Sequence, residues 1–251
     1  MACLVTAALL SGGCGQSATP DGFESLFVSD CGGDGAGPQA VRDAVLLDWS
    51  GGVSRIFPER ELAPLDFSAF TTVGGGTLAD AEEAFKDAVR THVAALVCDF
   101  PVTVSVRTGE GPSERPFSVV YISQAASLRS RSQIGEGEYD PCNEDHEDDA
   151  VLFGAEMQRL GGPFTFDEWV MLFGNVIAHE IGHLLGLAHA PREETGTEHT
   201  LYVELMWGVH TLDEMLSEQR FMADLTHCPE ETVQLRRALP PPTFTCGSTG
   251  E

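Results

Sequence analysis

The chain has 251 residues, 39 of them acidic and 14 basic, for a formal charge of −25 at neutral pH. That balance argues against a nucleic-acid binder, which needs a basic face, and against adhesion to anionic lipid headgroups. The length suffices for one large domain, 42% of the residues are hydrophobic, and no stretch approaches the roughly 20 apolar residues of a membrane-spanning helix.

Residues 1–14, within "MACLVTAALLSGGCGQ", read as a signal segment of the bacterial lipoprotein kind, cleaved before Cys14. Two features depart from that pattern: Leu10 stands four residues before Cys14 rather than three, and no Lys or Arg precedes the apolar run. The expectation is export, to a bacterial cell envelope through a lipid on Cys14 or to the exterior, with that lipid the sole link to a membrane. Residues 15–39 form a glycine-rich linker, residues 40–239 the folded body, and residues 240–251 a tail in which "PPPTFTCGSTGE" ends regular structure. Beyond Cys3 and Cys14, the cysteines Cys31, Cys98, Cys142, Cys228 and Cys246 are widely spaced with no CxxC pair. Disulfides are therefore expected rather than a cysteine zinc site, and an odd number leaves at least one thiol over.

The body opens with "AVRDAVLLDWS", whose Val45-Leu46-Leu47 run suits a buried strand. "TLADAEEAFKDAVRTHVAALV" reads as an amphipathic helix. Thr77 and Asp80 form its capping box, Ala81, Phe85, Ala88, Val89 and Leu96 share one face, and Pro101 stops it. "VTVSVR" and "FSVVYIS" are two further strands, and "AVLF" at 150–153 a fourth. Between them, residues 133–149 read as an acidic loop. The run from Asp140 to Asp149 has carboxylates enough for a structural Ca2+ ion. It lacks the alternating ligands and glycine of an EF-hand loop, so a solvated loop is the favoured reading. A second helix starts at a well-marked N-terminus, with Thr165 as N-cap, Glu168 completing the box and Phe164 stapling against Trp169.

That second helix runs into "HEIGHLLGLAH", residues 179–189. Residues four apart on an α-helix are separated by about 40° and about 6 Å, so His179 and His183 project from one face and can offer two nitrogens to one metal ion. Zn2+ suits imidazole donors, and three protein ligands leave a fourth position for water, the arrangement of a catalytic site. Glu180, beside the metal but not ligating it, can take a proton from that water as general base. On a continuing helix His189 would stand about 9 Å along the axis from His183, too far to share the ion. Gly186 can take the positive φ that ends the helix, after which His189 can swing back.

HExxHxxGxxH is the signature of the metzincin clan of zinc endopeptidases, and this segment resembles it at every fixed position. The resemblance implies His179, His183 and His189 as ligands of one catalytic Zn2+, Glu180 as general base, and a downstream methionine in a tight turn beneath the metal. "VELMWG" offers Met206 for that Met-turn. The implied fold is α+β and zincin-like: a twisted mixed β-sheet, an active-site helix and a smaller, mostly irregular C-terminal subdomain. Motif-level similarity covers about residues 165–208.

There are departures from the family pattern. His189 is followed by Ala190 and Pro191, and Gly208 stands where some relatives carry a tyrosine that reaches the zinc. Tyr202 and His210 are candidates for that donor. Otherwise His199, His210 and His227 lack ligand spacing and read as surface or capping histidines.

The expected activity is hydrolysis of a protein or peptide substrate by a monomeric enzyme, with no nucleic-acid partner. The alternatives are zinc-dependent hydrolysis of a non-peptide amide, or a non-catalytic binding module that keeps zinc for structure. Glu180 counts against the last, since a structural site needs no general base.

Overall fold

The computed structural model describes residues 43–98, 100, 102–107, 117–127, 133–139, 147–189, 203–204, 206, 210–217 and 219–220. The expected signal segment, linker and tail lie outside the described residues, as does every cysteine but Cys98, so the disulfide expectation falls outside them too. In chain order the strands are β1 (Asp43–Asp48), β2 (Gly52–Val53), β3 (Glu61–Leu62), β4 (Val102–Val106), β5 (Ser118–Ser123), β6 (Gly135–Gly137), β7 (Asp149–Phe153), β8 (Val203–Glu204) and β9 (Gln219–Arg220). The helices are α1 (Glu82–Leu96), α2 (Gly154–Gln158), α3 (Phe166–Leu184) and α4 (Leu212–Met215).

Five strands form one sheet in the order β4-β1-β5-β7-β6. β1 is parallel to β4 and β5, and β5 to β7, while β6 runs antiparallel along β7 and closes that edge. The sheet is mixed, as expected, but the arrangement is an α/β one rather than α+β. A helical crossover such as β1–α1–β4 returns the chain in the same direction, which makes neighbouring strands parallel.

The apolar runs owe their continuity to burial on both faces. Val45 and Leu47 of β1, Val120 and Ile122 of β5, and Ala150 and Leu152 of β7 face α1 and α3. Leu46, Val119, Tyr121, Val151 and Phe153 face the opposite side, where they pack with Leu62, Phe117 and Ala125. The edge strand β4 keeps its alternation, directing Val102 and Val104 toward the helices. β2 and β3 pair as a small antiparallel ribbon that contributes Leu62 to the second layer.

Both helix starts follow their caps. The Thr77–Asp80 box opens a 3-10 turn over Leu78–Ala81 before α1 proper, whose buried face comprises Phe85, Val89, Val93 and Ala94. At α3, the Thr165 hydroxyl accepts from the Glu168 N–H while the Glu168 carboxylate accepts from the Thr165 N–H. The Phe164 and Trp169 rings meet edge to face at 4.7 Å. Phe70, Phe85 and Phe173 extend this aromatic cluster between α1 and α3, and the Trp169 indole N–H donates to the Thr71 carbonyl at 2.9 Å.

One turn before the histidines, a polar clamp crosses three elements. Asn175 donates to the Met215 carbonyl at 2.8 Å, and its side-chain oxygen lies 3.0 Å from Nε2 of His92 on α1. A β-carbon at Gly174 would collide with that same His92 ring, so glycine permits the close approach of the two helices.

The strand β6 corrects the reading of residues 133–149 as loop. Gly-Glu-Gly carries no apolar alternation and two residues depleted in strands, so its conformation comes from pairing with β7 rather than from local preference. The short helix α2 was likewise not foreseen.

Asn175→Ala is expected to cost roughly 2 kcal/mol, since it strands the buried Met215 carbonyl and the His92 ring. Urea denaturation would measure the loss, and hydrogen exchange would show faster opening of residues 212–217.

Candidate metal centre

The C-terminus of α3 ends as the sequence requires. Gly186 has φ of 85°, its N–H donates to the His183 carbonyl at 3.0 Å, and the Leu187 N–H reaches back to the Gly182 carbonyl at 2.8 Å. This pair of bonds is a Schellman closure, which satisfies the last carbonyls of the helix while reversing the chain. Reversal brings His189 back over the helix face. Its Nε2 lies 3.2 Å from Nε2 of His179 and 3.1 Å from Nε2 of His183.

These separations suit one small cation. Bonds of about 2.0–2.1 Å in a tetrahedral arrangement place neighbouring nitrogens about 3.3 Å apart. The His183 ring is held for that role, because its Nδ1–H donates to the Leu187 carbonyl at 2.8 Å and so turns the lone pair of Nε2 toward the other rings. Among the described residues these three histidines are the one grouping of side chains placed to share a metal ion.

Electrostatics point the same way. His183 is lowered to about 4, chiefly by burial and also by the nearby His189, against the Leu187 bond that raises it. Burial also lowers His189. Imidazoles that resist protonation are the neutral donors a metal requires.

Glu180 is buried next to this cluster. Its carboxyl is raised to about 8, chiefly by desolvation and also by the Glu136 carboxylate, against a hydrogen bond from the Gly137 backbone N–H that lowers it. Gly137 belongs to β6, and so does the buried Glu136, to which Gln133 donates at 3.3 Å. The edge strand thus forms the wall against which the proposed base lies, a role that no motif signalled.

The remaining candidates divide. Met206 is buried in a turn. The half-buried His210 ring packs edge-on to His179 at 6.2 Å, nearer the cluster than its spacing suggested. The ring of the exposed Tyr139, just past β6, stands 6.3 Å from that of His183 and was not anticipated from the sequence. Tyr202, Gly208, His199 and His227 lie outside the described residues, as does most of the acidic run considered for calcium.

No family model matches the sequence, and no curated protein is similar to it. Among solved structures, the chain is similar to the crystal structure of an archaemetzincin from Methanopyrus kandleri. The identity is 14%, the TM-score 0.40, and the match covers 78% of this chain and 94% of that one. So loose a likeness carries no weight for function, and the side chains themselves must bear the reading.

Gly186→Ala forces a β-carbon into the left-handed region, at a cost of roughly 1–2 kcal/mol. It is expected to weaken zinc affinity by displacing His189, while Gly186→Asn, which tolerates that region better, loses less; competition with a chromogenic chelator would rank them.

In protein stripped of metal, Glu180 is ordinarily near 4.5 when unfolded and about 8 when folded. Its contribution to stability is whole below pH 4.5 and is lost as pH rises toward 8. His183, near 6.5 unfolded and about 4 folded, contributes fully above pH 6.5 and loses that contribution as pH falls toward 4. From pH 6.5 to 8, of these two groups only Glu180 acts, so stability is expected to fall with pH by up to about 1.4 kcal/mol per unit. Glu180→Gln should abolish that slope in denaturant titrations; a slope that survived the substitution would refute the assignment.

Proposed function

We propose that the protein is a zinc-dependent endopeptidase of the metzincin type. The observation that carries this reading is the convergence of the His179, His183 and His189 Nε2 atoms, with the buried carboxyl of Glu180 on the same helical turn. A zinc ion held by the three imidazoles would supply Lewis-acid polarisation of a scissile carbonyl and make water acidic enough to attack near neutral pH.

The chain's own groups then divide the work. Glu180 accepts the proton of the attacking water and delivers it to the leaving amine. The hydrogen bonds from Phe153 N–H to Ile134 and from Glu138 N–H to Asp149 direct the even-numbered backbone of β6 toward β7. Alternation therefore directs the backbone of Gly135 and Gly137 outward. An extended peptide can add to this edge at Gly135, the Gly137 N–H being held by Glu180, which orients its scissile bond past the histidines.

The test is cleavage of casein and of a random peptide library by purified protein. Activity is expected to vanish with a chelator and return with zinc. Glu180→Ala should retain one zinc per chain and lose roughly 10²–10⁴-fold or more in kcat. Turnover that persisted in this variant would refute the mechanism, while cleavage of non-peptide amides alone would move the substrate class.

A further inference from the structure

Two positions without side chains pack against Glu180. A β-carbon at Gly135 would collide with Oε1 of Glu180, and one at Gly137 would stand 3.1 Å from Oε2 and 3.3 Å from Cβ of His183. Gly135 and Gly137 alternate on β6, so both turn the same side of the strand to α3, while the buried Glu136 between them turns away. The Gly137 N–H is directed away from β7 by the ladder and donates to the Glu180 carboxylate. One carboxylate is thus bounded at both oxygens by one short edge strand.

Neither glycine adopts a positive φ, so backbone conformation does not demand glycine at either position. In strands the residue is otherwise disfavoured, costing conformational entropy and side-chain packing. Two such residues flanking one position make sense where something must approach closely, and the group that approaches is the Glu180 carboxyl.

We propose that Gly135 and Gly137 form a slot that positions the Glu180 carboxylate for proton transfer. These are positioning residues, since they act through Glu180 rather than on substrate. The inference rests on the reading of Glu180 as general base. It adds that the base is aimed by β6, the strand offered to substrate, so that peptide binding and base alignment share one element. A methyl group at position 135 would displace the carboxylate, and misplacement of about 1 Å can cost roughly 100-fold in rate.

The experiment is a double-mutant cycle on the full chain. Gly135→Ala is made in the wild type and in a Glu180→Ala background, with melting temperature, zinc content and, in the wild-type background, kcat and KM recorded. Overpacking should lower Tm by roughly 5 °C in the wild type. In the Glu180→Ala background the slot is vacated, so the same methyl should shift Tm by less than about 2 °C. The single variant should keep one zinc per chain and lose at least tenfold in kcat with KM little changed. Should Gly135→Ala not fold, Gly135→Ala in the Glu180→Ala background alone still decides, since the slot predicts that removing the carboxylate restores folding there.

Equal Tm losses in both backgrounds would overturn the slot, as would an unchanged kcat in an active wild type, or loss of zinc, which would mean that β6 positions the histidines instead. Should the wild type cleave no substrate, the peptidase reading fails by itself, and the Tm coupling still decides whether the slot exists.

Discussion

The end of α3 is the constraint on which the rest depends. Two histidines one turn apart can face the same point from a continuous helix, but a third can join them only if the chain reverses within a few residues. Gly186 makes that reversal at a φ of 85°, and the Schellman bonds lock it. Everything upstream fixes where this terminus lies, and β6 fixes what lies across from it.

The position of the terminus is secured well before the histidines. The Thr165 cap sets the start of α3, and the Trp169 and Phe173 rings fix its face against Phe70 and Phe85. Asn175 then ties it to α1 and to the segment around Met215. These contacts act at successive turns, so the helix has little freedom to slide or rotate relative to the sheet. A site placed on such a helix inherits its rigidity.

The sequence displayed the strands and the site in unequal measure. Val45-Leu46-Leu47, "FSVVYIS" and "AVLF" were legible because burial on both faces leaves nearly continuous apolar runs. The Thr165 cap and the Phe164–Trp169 staple were legible because capping is local chemistry. Gly186 was legible because few other residues take that conformation cheaply. β6 was not, since Gly-Glu-Gly has no intrinsic preference for a strand and owes its form to β7 and α3. The neighbourhood of His210 and Tyr139 was hidden for a related reason: both reach the histidines through tertiary contact, and no spacing along the chain encodes it.

The bond from His183 Nδ1 to the Leu187 carbonyl has a consequence for how the centre fills. Leu187 also supplies the N–H that closes the helix, so one residue both terminates α3 and fixes a ligand's tautomer. The orientation of the His183 ring is therefore set by the fold itself. For a cation taken up at the three imidazoles, the entropy of arranging that ring would not subtract from its affinity.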